Sequence, residues 1–250
     1  MIAGAAAVGR AGTSEPHRER RGKVWPQRWY TDDVDFDAVI FDLDGTLVDT
    51  LEDLADAMNR VLSGQQVPVH SHATYKLLIG KGIRNLVAQA LPAEKRSAET
   101  ISGCYERMLA DYGEHFLVKT RRYDGAAELV SGLRAAGVKL AVFSNKSHEL
   151  TRLIVESLFG AGDFDVVMGA QPGVPLKPDP AVALAISDRL GVAPGRVVFL
   201  GDSGIDMLTA SAAGMIAVGA AWGFRTKDEL VENGASLVLD HPLELLELRG

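Results

Sequence analysis

At 250 residues, with 47% apolar and 24% charged side chains, the chain can bury a sizeable core and has the make-up of a soluble globular protein. Its net charge of −7 argues against nucleic acid as the main partner, and no apolar run approaches the roughly eighteen residues that a membrane-spanning helix needs. One cysteine, Cys104, excludes an intrachain disulfide and a cysteine-based zinc cluster, and fits a reducing, cytoplasmic compartment.

In chain order, Ala and Gly dominate residues 2 to 9, and Arg18, Arg20, Arg21, Lys23 and Arg28 follow. A disordered basic tail is expected over residues 1–34; an Arg-rich transit peptide and a translation start near Val34 are the other readings. Ala38-Val39-Ile40-Phe41 is a short apolar run that stops at acids and glycine, the pattern of a buried parallel strand. Residues 50–122 then offer helical patterns with no convincing strand. Leu51, Leu54, Ala55, Met58, Val61 and Leu62 stand at helical spacing, with Thr50 to cap the start and Gly64 to stop it. Ile83, Leu86, Val87 and Ala90 suggest a second helix, and Glu94 to Tyr112 a third that holds Cys104 as a small buried residue.

Further strands are expected at Val138–Phe143, Val166–Met168, Val197–Leu200 and Met215–Val218, with a weaker one at Leu237–Leu239. Helices are expected over Asp124–Ala136, ending at Gly137, and Pro180–Leu190, ending at Gly191. The alternation predicts an α/β fold: a doubly wound, mostly parallel sheet formed by residues 35–49 and 123–250, interrupted by an inserted helical domain over 50–122. In such sheets ligands bind beyond the carboxyl ends of the strands. Trp222 and Phe224 are expected to be packing residues.

Four features fall at those ends. Asp42 and Asp44 project from one side if the chain stays extended, although alone they read as a turn after a strand. Ser144 and Asn145 offer a hydroxyl and an amide to an anion, yet both are common turn residues. Lys177, between prolines in Leu176-Lys177-Pro178-Asp179-Pro180, is taken alone an ordinary surface lysine. Asp202 and Asp206 stand four apart on one helical face; buried beside Asp42 they repel unless a divalent cation neutralises them. Together the set describes phosphoryl transfer, with a nucleophile, a proton donor and charge neutralisation around a phosphate. Carboxylate oxygens without a Cys or His cluster favour Mg²⁺.

This order of motifs resembles the haloacid dehalogenase superfamily of phosphatases, and over residues 37 to 242 the chain is similar to phosphoglycolate phosphatases. The resemblance implies that Asp42 is the nucleophile and Asp44 the general acid and base. It implies that Thr46, Ser144, Asn145 and Lys177 contact the substrate phosphate. Mg²⁺ would be held by Asp42, the backbone carbonyl of Asp44, and Asp202, with Asp206 in support. The insert corresponds to the family's helical cap, in which Lys81 and Arg84 of Gly80-Lys81-Gly82-Ile83-Arg84 would meet a second anionic group; exposed cations at a helix start are nearly as good an account. The implied reaction is hydrolysis of a small phosphorylated metabolite, 2-phosphoglycolate foremost. A β-phosphoglucomutase-like sugar phosphomutase and a pyrophosphatase are the alternatives within the superfamily. A receiver-like phospho-acceptor and a non-catalytic binding protein are the alternatives outside it.

Overall fold

The structure, a computed structural model, describes residues 34–248. The tail expected over residues 1–34 lies, apart from Val34, outside the described residues. Strand β1 (Ala38–Phe41) is buried at all four positions. Val39 and Phe41 enter one apolar cluster, Ala38 and Ile40 the other. A strand covered on both faces has no polar side to alternate with, which is why its sequence is continuously apolar.

Strand β1 is followed by β2 (Val48–Asp49), four helices, and β3 (Arg121–Arg122), which pairs antiparallel with β2. The helices are α1 (Leu51–Gly64), α2 (His72–Leu78), α3 (Ile83–Ala90) and α4 (Ala98–His115). The remainder is α5 (Ala126–Ala135), β4 (Lys139–Ser147), α6 (His148–Leu158), β5 (Val166–Ala170), α7 (Ala181–Leu190), β6 (Val197–Gly201), α8 (Gly204–Ala212), β7 (Ile216–Ala220), α9 (Lys227–Glu232), β8 (Leu237–Leu239) and α10 (Glu244–Glu247). The main sheet runs β5-β4-β1-β6-β7-β8 with every neighbouring pair parallel. Central β1 aligns Ala38 with Lys139 on one side and with Val197 on the other. The carboxyl ends of β1, β4 and β6 therefore lie side by side. Helices α5 and α6 contribute to one cluster, α7 and α8 to the other.

The four-helix segment has an apolar cluster of its own, built on Leu54, Met58, Leu62, Tyr75, Val87 and Met108; Leu150 and Phe224 reach it from outside the segment. Cys104 is buried there, and burial pushes its thiol pKa up. Buried Asp53 of α1 ties the segment's two ends together. Its carboxylate accepts the Lys119 N–H at 2.9 Å, the Thr120 N–H at 2.8 Å and the Thr120 hydroxyl at 2.8 Å.

Several expectations need correction. Strand β3 was not expected within residues 50–122, because two residues carry no readable period. Helix α2 was not expected either. Ser71 caps it by accepting the Thr74 N–H, but only Tyr75 of the helix is buried, so it shows no apolar stripe. The third helix starts at Ala98, capped by Ser97, after a short 3₁₀ turn at Ala93–Lys95. Thr50 precedes α1 without capping it by its side chain, because its hydroxyl is turned to Asp44. Strand β4 runs on through Ser144 and Asn145, with a register shift against β5 between Phe143 and Ser147.

Candidate active site

Strand β1 hands over to Asp42, whose N–H continues the sheet by donating to the Leu200 carbonyl at 2.9 Å. The chain then turns tightly, with the carbonyl of Leu43 accepting from the N–H groups of Thr46, Leu47 and Val48. Asp42 and Asp44 both line one cavity, yet neither lies within a strand, so the turn and not strand alternation aims them. Gly45 sits in this turn at φ 89°, where a Cβ would run into the Asp202 carboxylate. Only glycine meets both constraints. Thr46 is buried, its carbonyl accepting from Trp222 Nε1 at 2.9 Å. Its hydroxyl is buried without a hydrogen-bond partner.

From β4, Ser144 is buried and borders the cavity. Asn145 also borders it, but its side-chain amide is already occupied. Oδ1 accepts the Lys177 N–H at 2.9 Å, and Nδ2 donates to the carbonyls of Lys177 and Gly80, each at 3.1 Å. Asn145 thus fixes the Lys177 backbone instead of offering its amide to an anion. Lys177 itself is buried, with Nζ 2.8 Å from Asp42 Oδ1 and 2.7 Å from Asp206 Oδ1. Burial alone would depress its ammonium pKa, but Asp206 and Asp42 outweigh burial and raise it.

Asp202 and Asp206 do meet, though not across one helical face. Asp202 precedes the helix, Ser203 is the extended N-cap of α8, and Asp206 stands in the first turn. Asp206 Oδ2 accepts the Ser203 N–H at 3.1 Å and hydroxyl at 2.6 Å. Asp202 Oδ2 accepts the Phe224 N–H at 2.7 Å. Asp42, Asp202 and Asp206 present carboxylate oxygens within 4.8 Å of one another, all buried. Burial, helped by Asp206 and opposed by Lys177, pushes Asp42 up to about 7. Burial and the charges of Asp206 and Asp42 push Asp202 well above the carboxylate range. Fully ionised, three acids facing one lysine would leave two negative charges uncompensated, which, added to burial, is what raises Asp42 and Asp202 in the absence of a cation. An all-oxygen donor set fits a hard divalent cation.

Lys81 and Arg84 are not brought to the site. Lys81 is exposed and absent from the cavity wall. Arg84 turns to α4, donating to Ser102 Oγ at 3.0 Å with its guanidinium 5.7 Å from the Tyr105 ring centroid. The reason is the rotation of α3, whose Leu86, Val87 and Ala90 are buried and leave Arg84 off that face. Sequence reasoning passes over three residues that matter here. Lys146 is buried, with Nζ 2.8 Å from Asp44 Oδ1 and 3.1 Å from the Tyr112 hydroxyl. The available signal was the strand period, which puts residue 146 on the same side as Ser144. Tyr112 comes from α4. Arg225 donates to the carbonyls of Lys76, Leu77 (3.3 Å) and Ile79 (2.7 Å) at the end of α2. Among the described residues no helix is long and apolar enough to cross a membrane.

The family model described as haloacid dehalogenase-like hydrolase matches residues 39–220. A phosphoglycolate phosphatase of Rhodospirillum rubrum is 35% identical over 81% of this chain and 86% of its own. An N-acetylmuramic acid 6-phosphate phosphatase of Pseudomonas aeruginosa is 30% identical over 84% of this chain and 93% of its own. Among solved structures, CbbY of Rhodobacter sphaeroides in complex with phosphate superposes with a TM-score of 0.71 at 25% identity, covering 84% of this chain and 96% of its own. The parallel sheet with acids gathered at the ends of β1 and β6, and the match over most of the chain, agree: this chain belongs to the haloacid dehalogenase-like hydrolases.

Proposed function

We propose that the chain hydrolyses a small phosphate monoester, 2-phosphoglycolate foremost, in two steps through an aspartyl phosphate on Asp42. The observation that carries this is the pairing of two carboxylates with different surroundings in one cavity. Asp42 is buried against Lys177 and the acidic triad, and Asp44 lies between Thr50 and Lys146. In the first step an Asp42 oxygen attacks phosphorus while Asp44 gives a proton to the departing alcohol oxygen. In the second Asp44 takes a proton from water, which attacks phosphorus and releases Asp42 and inorganic phosphate. Ser144 and Lys177 hold the equatorial oxygens, and Asn145 keeps Lys177 in place. The Thr46 hydroxyl, buried and without a hydrogen-bond partner, is the remaining group proposed for the phosphate.

Mg²⁺ is the cation proposed for Asp42, Asp202, Asp206 and the Asp44 carbonyl; when bound it neutralises charge on the phosphoryl oxygens. The helical segment is proposed as a cap. Leu54, Ile79, Ile83 and Leu86 of that segment line the same small cavity as Asp42 and Asp44. Closure of the segment over a bound substrate would exclude bulk water. A panel of phosphate esters assayed with Mg²⁺ and with chelator tests the proposal. Metal-dependent release of phosphate that vanishes in Asp42→Asn is expected; full activity in that variant would eliminate the scheme.

A further inference from the structure

The cavity is bordered by a second buried lysine, which the reaction as proposed does not use. Lys146 is only 4% exposed. Its ammonium carries three N–H bonds; Asp44 Oδ1 at 2.8 Å and the Tyr112 hydroxyl at 3.1 Å take two. Among the described residues no other partner meets the third. Lys177 differs, because two carboxylates share its charge. A buried ammonium with an unmatched N–H beside a cavity is a receptor for an anion.

The position of Lys146 says which anion. The ester oxygen that leaves must face Asp44, so a substituent on the carbon bonded to that oxygen falls beside Asp44, where Lys146 stands. Leu54, Ile79, Ile83 and Leu86 make the helical side of the wall apolar. Of the other polar side chains on it, Asn145 is occupied by the backbone of Lys177 and Gly80, and Ser144 is assigned to the phosphate. The apolar side chains offer no partner to the several hydroxyls of a sugar, most of which would be left unpaired on binding. The N-terminus of α3, where Gly82 and Ile83 border the same cavity, adds a favourable field for negative charge.

We propose that Lys146 determines specificity by receiving a carboxylate carried on the carbon next to the ester oxygen, with Tyr112 as its positioning residue. The substrate class is then the phosphate esters of short 2-hydroxy acids. The inference rests on the phosphatase reading above and replaces Arg84 as the group that recognises the second anion.

The test compares kcat/KM for 2-phosphoglycolate and for ethyl phosphate, of similar size but with a methyl in place of the carboxylate. For the wild-type protein a preference of at least about a hundredfold for phosphoglycolate is expected, in line with the loss on truncating one partner of a buried charge pair. Lys146→Met should abolish most of that preference, and Tyr112→Phe should raise KM for phosphoglycolate while leaving kcat within a few-fold. Equal losses on both esters in Lys146→Met would show that Lys146 acts only through Asp44, and would overturn the inference. If that variant does not fold, the wild-type ratio decides alone: a value near one overturns it. Turnover of p-nitrophenyl phosphate without preference for phosphoglycolate sinks the inference and spares the phosphatase reading. No turnover of any phosphate ester sinks both.

Discussion

Removing divalent metal should make the stability of this protein fall as pH rises from 5 to 8, the opposite of ordinary acid denaturation. The Asp42 carboxyl is pushed from 3.8 to about 7 in the folded chain, burial being the largest cause. An unfolded chain releases that proton near pH 4, whereas the folded metal-free chain keeps it until about pH 7. Between those values the folded state holds more protons, so stability falls with rising pH; the contribution is complete below about pH 4 and gone above about pH 7. At 1.36 kcal/mol per pH unit the whole window is worth about 4 kcal/mol, of which about 3 kcal/mol falls between pH 5 and 8. For a chain of this size that is a drop of about 6 to 12 °C in Tm. Asp202, raised in the same direction, adds to it.

The carboxylates held below their ordinary range, Asp56, Asp111 and Asp165, lose their contribution only at lower pH and do not mask the effect. Differential scanning calorimetry in EDTA measures it directly. Saturating Mg²⁺ should remove the decline, because the cation binds the ionised carboxylates and its stabilisation grows as pH rises. Asp42→Asn in EDTA should show a shallower decline than the wild type. A metal-free Tm that stays level or rises from pH 5 to 8 would refute the charge account of the triad.

Three further outcomes follow from contacts around the site. Thr50→Val removes the 2.6 Å hydrogen bond to Asp44 Oδ1 and should lower kcat by about tenfold while changing stability by about 1 kcal/mol, read by steady-state kinetics and thermal melts. Arg225→Ala frees the carbonyls at the end of α2, and should lower stability by about 1 to 2 kcal/mol and speed proteolytic cleavage within residues 72–82. Arg84→Ala should leave KM for phosphoglycolate within about twofold of wild type, since Arg84 rests on Ser102 and Tyr105; a tenfold rise would restore it to the site.

The sheet was legible because a strand buried on both faces must be continuously apolar, as Ala38–Phe41 and Val197–Leu200 are. Once the alternation is read, the topology rule brings Asp42, Ser144 and Asp202 to one edge without further information. The rest depended on quantities that sequence does not carry. Whether Arg84 faces the acids is set by a fraction of a turn in α3. Whether Asn145 meets an anion or a backbone is set by the path of the loop around Lys177. Asp202 and Asp206 converge because the N-cap Ser203 folds Asp206 back, an arrangement their spacing suggested for the wrong reason. Lys146 was available from the strand period, but a lysine there reads as exposed until Tyr112, distant in sequence, is known to cover it.

These contacts divide the proposed machinery into two halves of different origin. Asp42, Lys177, Asp202 and Asp206 are held by the ends of β1 and β6, the loop before α7 and the first turn of α8. Among the described residues, none of these four side chains hydrogen-bonds to the helical segment. Asp44 is different: one of its oxygens meets Thr50 at the start of α1 and Lys146, which in turn is braced by Tyr112 from α4. On the proposed reading, the nucleophile and metal site belong to the sheet, whereas the helical segment supplies Thr50 to Asp44 and the Tyr112 brace to Lys146. The segment would then act on Asp44 through Thr50 and on specificity through Tyr112.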